Sequence, residues 1–278
     1  MKAAVLGSPV AHSLSPALHG AAYAELGLAG WSYQAIECTA AGLPALLAGC
    51  GADWAGLSLT MPLKRAVLPL LDRIEPVAAE TGAANTVTFA GGARAGHNTD
   101  VPGMITALTV AGVPAAAAAP GRALIIGGGA TACSALASLR GLGAAEATAA
   151  VRDPARAADL LAAADRLGMR VRLAPFGEYR DEGWSLLIST VPAEAADIYA
   201  KRILGPAPAP LAVLDVAYHP WPTPLAAAAE QAGAIAVSGF ELLLHQAGHQ
   251  VELMTGKPAP VAAMRAAGLA ELARRAAR

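Results

Sequence analysis

The sequence predicts an α/β protein in two parts, on three observations. Residues 122–136 run from a short apolar stretch through three glycines into a helix-like segment. From there to about position 238, apolar strands alternate with helices, the pattern of a doubly wound parallel sheet covered on both faces. The glycines begin only at position 127, and the residues before them carry strands and helices of their own, so another folded part comes first.

The elements follow in order. Ala3 to Leu6 reads as a strand ended by Gly7-Ser-Pro. Ser15 is placed to cap a helix that opens on Pro16 and runs to about Leu26. Trp31 to Glu37 alternates like a strand, Leu43 to Ala48 suits a short helix, and Ala55 to Thr60 is a strand. Pro62 to Leu71 reads as helical. Thr86 to Phe89 is a strand, Gly91-Gly92 a hairpin turn, and Val101 to Ala111 a helix that crosses between the parts. Pro114 to Pro120 is a biased connecting loop. Leu124 to Ile126 and Ala130 to Arg140 flank the glycines. Then come strand Glu146–Arg152, helix Pro154–Leu167, strands Val171–Ala174, Leu186–Val191 and Leu211–Tyr218, helix Leu225–Ala232 and strand Ile235–Val237. Two helices, Phe240 to about Met254 and Pro260 onward, carry no further strand and are expected to return to the first part.

Bulk properties narrow the function classes. The 278 residues are 55% hydrophobic and 15% charged, with net charge −1. That balance argues against a nucleic-acid binder or a polybasic membrane anchor. A long uncharged run, Val101 to Gly121, is broken by three prolines and is rich in Ala, Gly and Thr, unlike a spanning helix of about 20 strongly apolar residues. The start of the chain lacks a long apolar signal region. Cys38, Cys50 and Cys133 are odd in number and widely spaced, which suits a reducing cytoplasm and neither a disulfide framework nor a metal site. No metal is expected.

The glycine stretch offers the chemistry of a dinucleotide fingerprint. Gly127 permits a tight turn, Gly129 lets a pyrophosphate approach the backbone, and Ala132 is small enough for close helix–strand packing. The helix start supplies free N–H groups to phosphates. An ordinary strand–helix turn in an Ala/Gly-rich chain has the same look. In the first part, Ser13, Ser15, Thr60, Lys64, Asn85 and Asp100 stand at strand ends, where open α/β sheets bind ligands. Each has a plainer role: Ser15 as a cap, Ser13, Asn85 and Asp100 as turn or cap formers, Lys64 as a solvated lysine. Together they make a hydrogen-bonding set suited to a small polyol acid. His12 and His19 flank the serines and are left outside the catalytic set. His97, His245 and His249 lack ligand spacing.

Eight segments, in order, make the chain resemble the shikimate dehydrogenase family along nearly its whole length. They are Ser13-Leu-Ser-Pro-Ala-Leu-His19, Gly56-Leu-Ser-Leu-Thr-Met-Pro-Leu-Lys64, Gly82-Ala-Ala-Asn85-Thr, Gly96-His-Asn-Thr-Asp100, Gly127-Gly-Gly-Ala-Thr-Ala132, Asp215-Val-Ala-Tyr-His-Pro220, Thr223-Pro-Leu and Gly239-Phe-Glu-Leu-Leu-Leu-His-Gln246. The resemblance implies an N-terminal α/β substrate domain (1–101 with 240–278) and a Rossmann-type doubly wound NADP-binding domain (102–239). It implies Lys64 and Asp100 as catalytic pair and Ser13 and Ser15 on the substrate carboxylate. Thr60, Asn85, Asp100 and Gln246 would hold ring hydroxyls, with Tyr218 near the acid. Gly127, Gly128, Gly129, Ala130, Thr131, Ala132, Arg152, Arg156, Thr190, Val191, Gly239 and Leu242 would meet the cofactor. The implied activity is reversible NADPH-dependent reduction of 3-dehydroshikimate to shikimate, in aromatic amino-acid biosynthesis. The implied protein is cytoplasmic, a monomer or homodimer. The residues agree in kind: reducing a ketone to an alcohol leaves one proton to move, which an ammonium beside the oxygen can supply.

Departures from the family pattern leave alternatives. Ala130 stands where Gly is usual, Ser189 where Asn is common and Leu242 where Met is common. Val151-Arg152-Asp153 replaces Asn-Arg-Thr. Arg152 and Arg156 suit a 2′-phosphate, whereas Asp153 suits the ribose hydroxyl of NAD. A quinate-using enzyme with NAD or dual cofactor use is the nearest rival, although Ser15 resembles the shikimate-specific members. A non-catalytic sensor would be expected to lack Lys64 or Asp100. A dinucleotide oxidoreductase for another substrate would not need Lys64.

Overall fold

Ala3 to Leu6 is an unbroken apolar run, and it is the buried body of β1 (Lys2–Gly7). The computed structural model describes residues 1–118, 122–180, 183–206 and 208–277, without the side chains of 115, 116 and 156. Ala119 and Pro120 of the biased loop, expected at 114–120, lie outside the described residues. After β1 come α1 (Ser15–Glu25), β2 (Ser32–Glu37), α2 (Leu43–Ala48), β3 (Trp54–Leu59), α3 (Leu63–Ala66), β4 (Arg73–Ile74), α4 (Pro76–Thr81), β5 (Thr86–Ala90), β6 (Ala93–His97) and α5 (Asp100–Val110). The strands form one mixed sheet in the order β2-β1-β3-β5-β6-β4. β1 runs parallel to β2 and β3, β5 antiparallel to β3, and β6 antiparallel to β5. The ends of β1, β3 and β6 and the start of β5 therefore meet at one end of the sheet.

Several local expectations need correction, among them the helix expected from Pro154, which is a 3₁₀ turn as far as Ala157, and the strand expected to Val191, which ends at Ser189. The helix expected over Pro62–Leu71 stops at Ala66, and a separate 3₁₀ turn spans Leu68–Leu70. Pro69 has no N–H and its ring would clash with the Arg65 carbonyl of a continuous helix. Ser15 is not the cap of α1 but its first residue, and the hydroxyl that accepts from the Ser15 N–H is that of Ser13, at 3.2 Å. The strand expected to reach Tyr218 ends at Asp215, as β11 below.

The second unit continues with β7 (Ala123–Ile126), α6 (Ala130–Gly141), β8 (Glu146–Val151), α7 (Ala158–Leu167), β9 (Arg170–Pro175), β10 (Leu186–Ser189), α8 (Asp197–Ile203), β11 (Ala212–Asp215), α9 (Pro224–Gln231) and β12 (Ile235–Ser238). Its sheet is parallel throughout, in the order β12-β11-β10-β7-β8-β9. Counted from β7 this is the 3-2-1-4-5-6 order of a doubly wound dinucleotide fold, whose switch point falls between β7 and β10. Leu124, Ile126, Trp184, Leu187, Tyr199 and Val213 lie in one of its buried clusters.

The final helices are α10 (Gly239–Thr255) and α11 (Val261–Ala276). The chain divides into Met1–Gly103 with Leu244–Arg278, and Met104–Leu243, so both crossings fall inside helices, a few residues from the positions expected. α11 packs on α1, as expected of a returning helix. Arg275, held by Glu271 at 2.7 Å, donates to the His12 and Ser13 carbonyls at 2.6 and 3.0 Å. No helix among the described residues is long and apolar enough to cross a membrane.

Candidate active site

The meeting of strand ends in the first unit places most of the expected polar residues. Thr60 follows β3, and its N–H donates to the Leu6 carbonyl at 2.9 Å, tying the ends of β3 and β1. Four residues on, in the first turn of α3, Lys64 Nζ donates to Asp100 Oδ2 at 2.6 Å. Asp100 opens α5. Its side chain is only 9% exposed and that of Lys64 17%, so the pair is shielded but reachable. Asn98 holds the approach to Asp100. Its Oδ1 accepts from the Asp100 N–H at 3.1 Å, and its Nδ2 donates to Thr81 Oγ1 at 2.9 Å and the Ala83 carbonyl at 3.1 Å.

Asn85, buried between β3 and β6, grips the other carboxylate oxygen. Its Nδ2 donates to Asp100 Oδ1 at 2.8 Å and to Thr99 Oγ1 at 2.9 Å, with Gln246 Oε1 at 3.2 Å. Its Oδ1 accepts from the Thr99 N–H at 2.8 Å. Gln246 sits on α10, where that helix passes so close to α5 that a Cβ on Gly103 would lie 2.7 Å from the Gln246 nitrogen. The arrangement is an ammonium paired to a carboxylate whose second oxygen is fixed by an amide. It can give up and take back one proton at a stationary point. Ser13 and Ser15 flank the same end of the sheet, half-buried and buried respectively.

Thr99, Thr86 and Gln250 also belong to this cluster and went unmarked in the sequence. A signal was available for Gln250. It follows Gln246 by four residues, so both lie on one face of α10, and a polar pair on a buried helix face needs partners.

In the second unit, the β7–α6 turn has the expected form. Gly127 sits at φ +117°, and a Cβ there would lie 2.5 Å from Thr190 Oγ1 and 3.1 Å from Val191 Cγ1. Thr190 is locked by donating to the Ile126 carbonyl at 2.8 Å. The loops after β7 and β10 thus bring Gly127, Thr190 and Val191 together at the switch point. Nothing stands within 4 Å of a Cβ position on Gly129, and Ala130, Thr131 and Ala132 form the first turn of α6, with Gly128 before them. This open cradle at a helix N-terminus fits a pyrophosphate. Arg152 is exposed at the end of β8, its guanidinium 5.8 Å from the Phe176 ring centroid. Asp153 Oδ1 accepts from the Ala155 N–H at 3.0 Å, so it serves as a local cap. The Arg156 side chain lies outside the described residues. Tyr218 is half-buried on the loop after β11, Gly239 opens α10, and Leu242 is buried in that helix.

Asp215, fully buried at the end of β11, accepts from Thr223 Oγ1 at 2.8 Å and the Ala217 N–H at 3.2 Å. Burial raises its carboxyl above the usual range, opposed by these bonds. Thr223 Oγ1 in turn accepts from the Ala226 N–H at 3.1 Å, capping α9. These bonds brace the two ends of the loop that carries Tyr218.

Comparison with known proteins supplies an independent line. Residues 5–87 match the family model of the shikimate dehydrogenase substrate binding domain, and residues 239–267 that of the shikimate 5′-dehydrogenase C-terminal domain. The chain is 36% identical to the shikimate dehydrogenase (NADP(+)) of Thermus thermophilus over 99% of its length and 98% of the relative's. It superposes on the crystal structure of Mycobacterium tuberculosis shikimate dehydrogenase with TM-score 0.85 and 43% identity, over 97% of this chain and 99% of that one. The Thermus thermophilus enzyme in complex with NADP(H) and shikimate gives TM-score 0.80 and 32% identity, over 97% and 99% of the two chains.

Proposed function

Because the chain belongs to the shikimate dehydrogenase family, we propose that Lys64 and Asp100 form the catalytic pair of its reaction, with the first unit holding the substrate and the second the nucleotide. The protein is an NADP-dependent oxidoreductase that interconverts 3-dehydroshikimate and shikimate. The observation that carries the site assignment is the 2.6 Å bond from Lys64 to a carboxylate whose other oxygen is held by Asn85.

NADPH, when bound, supplies the hydride that the ketone carbon gains. The chain's own residues deal with the oxygen. Lys64 donates a proton to it as the carbonyl becomes an alcohol, and in the reverse direction takes that proton back. Asp100 orients the ammonium and offsets its charge. Asn85 keeps one carboxylate oxygen occupied, so the other stays aimed at Lys64. Ser13 and Ser15 are proposed to hold the substrate carboxylate, and Thr60, Asn85, Asp100 and Gln246 the ring hydroxyls, with Tyr218 near the acid. Gly127 to Ala132, with Thr190 and Val191, are proposed to cradle the nucleotide, with Gly239 and Leu242 also against it. Arg152 and Arg156 are proposed to meet the 2′-phosphate. These two arginines support NADP over NAD, while Asp153 Oδ1 accepts from the Ala155 N–H as a local cap.

The test combines substrate pairs with one variant. Shikimate and quinate, each with NADP⁺ or NAD⁺, are assayed by absorbance of the reduced cofactor. Turnover confined to shikimate with NADP⁺ is expected, whereas comparable turnover with quinate or NAD⁺ would place the chain in the broader quinate branch. Lys64→Ala is expected to lower kcat by orders of magnitude with NADPH affinity unchanged. A collapse of NADPH affinity instead would assign Lys64 to the nucleotide site or the fold.

A further inference from the structure

One buried side chain joins the catalytic cluster to a second set of polar groups across the first sheet. Ser58 on β3 and Thr86 on β5 are a cross-strand pair, so their side chains share a face. Gln250, 1% exposed on α10, sits over that pair and bonds both. We propose that Gln250 is a positioning residue for the reaction, whose amide sets the direction of the hydrogen bonds that hold Asn85, and through it Asp100, toward Lys64. This deepens the reading of Lys64 and Asp100 as the catalytic pair and rests on it.

Two backbone groups determine which way both amides point. The Asn85 carbonyl can only accept, so the Gln250 atom 3.3 Å from it is Nε2. The Thr99 N–H can only donate, so the Asn85 atom 2.8 Å from it is Oδ1. The remaining protons follow by elimination. Gln250 Nε2 donates to Thr86 Oγ1 at 2.9 Å, and the Thr86 hydroxyl donates to Asn85 Oδ1 at 2.9 Å. That leaves Asn85 Nδ2 facing Asp100 Oδ1, and Lys64 facing Oδ2.

The other side of the amide has the same single polarity. Gln250 Oε1 accepts from Ser58 Oγ at 2.8 Å, so the Tyr33 phenol must donate to Ser58, at 2.7 Å. His19 Nε2 lies 3.2 Å from Oε1 and must carry the proton. The imidazole is fully buried and stacked on Tyr33 at 4.0 Å between centroids. Burial lowers its pKa to about 4, so it is the neutral Nε2–H form that presses on the amide.

The consequence for catalysis is geometric. Turning the Gln250 amide over would set Oε1 against the Asn85 carbonyl and draw the Thr86 proton away from Asn85. Asn85 Oδ1 would lose the Thr86 hydroxyl and be held from the Thr99 side alone, so the amide would be less firmly placed against Asp100. A half-satisfied buried network loses the register that a satisfied one imposes. Misplacing a reacting group by about 1 Å costs on the order of a hundredfold in rate.

The experiment uses the full chain in steady-state shikimate oxidation with NADP⁺. Gln250→Met, similar in size and without the amide, is expected to lower kcat by about tenfold to a hundredfold with the KM for NADP⁺ unchanged. Combined with Asn85→Ala it is expected to add nothing to the loss caused by Asn85→Ala alone, because both act on Asp100 by one route. Should Gln250→Met not fold, Ser58→Ala carries the test. It removes one bond to Oε1 and is expected to lower kcat by about threefold to tenfold, again without change in the NADP⁺ KM. Unchanged kcat in the variant that folds, or fully additive losses in the cycle, would overturn the proposal and leave Gln250 as packing between sheet and helix. Lys64→Ala separates the two readings. If it stays active, the catalytic pair is wrong; if it is inactive while Gln250→Met turns over normally, only the positioning role fails.

Discussion

Acidification should unfold this protein in a way that depends on His19. The imidazole is 0% exposed, and burial brings its pKa from 6.5 to about 4, the bond to Gln250 opposing the shift. A folded-state value below the unfolded one means that the unfolded chain takes up a proton that the folded chain refuses. The stability this group contributes is therefore complete above about pH 6.5 and drains away as pH falls toward 4. At about 1.4 kcal/mol per pKa unit, the whole window is worth about 3 kcal/mol, a large share of the roughly 5–15 kcal/mol that holds typical proteins folded. The assay is urea unfolding at a series of pH values between 4 and 7.5, for the wild type and for His19→Phe. Phenylalanine keeps a ring against Tyr33 but cannot titrate. All other groups titrate equally in both chains, so the difference between the two stability–pH curves isolates His19. The wild type is expected to lose up to about 1.4 kcal/mol more per pH unit than the variant inside the window. Parallel curves would refute the reasoning and show that the histidine finds its proton without unfolding.

Two further outcomes follow from the geometry. Arg152→Ala should weaken NADP⁺ by about tenfold to a hundredfold, the worth of a charge-assisted hydrogen bond, while leaving NAD⁺ nearly unaffected; equal losses in cofactor titrations would remove the phosphate role. Gly103→Ala should cost about 1–3 kcal/mol and reduce kcat, because its Cβ would press on the Gln246 backbone, whereas Gly20→Ala, in open space on α1, should be neutral or stabilising by up to about 1 kcal/mol; denaturation midpoints check both.

Legibility in the sequence followed the range of the interactions. The strands β7, β8 and β10 to β12 could be read because each is a mainly apolar run, and the buried part of a parallel sheet asks for little else, whereas β9, at the edge with Arg170 and Arg172, shows only a short apolar stretch. β4 and α4 could not be read. Two residues of strand and six of helix, Arg73–Ile74 and Pro76–Thr81, are too short to show a period. α8 was hidden behind the 3₁₀ turn Ala193–Ala196 that precedes it. The site divides the same way. Thr60, Asn85 and Asp100 were visible because strand ends are predictable places. Gln246 entered only through resemblance. Its neighbour Gln250 reaches Ser58, Thr86 and His19 from far along the chain, and no local pattern encodes a bond between residues 19 and 250. His19 was kept from the catalytic set on sequence grounds, and the structure places its ring against Gln250.

The second unit is inserted into the first, and this gives synthesis of the chain a particular order. Lys64 and Asp100 leave the ribosome early, with the sheet that carries them. The helix bearing Gln246 and Gln250 follows only after all of 104–243 has emerged. Until then the Ser58–Thr86 face has no amide above it, and α1 waits longer still for α11. The inserted unit is contiguous and has its strands in hand before the first unit can close. A nascent chain interrupted before residue 246 would thus carry a finished second unit joined to an unfinished first one. The cluster proposed as the reaction centre is completed late, although Lys64 and Asp100 are among the first of its residues to be made.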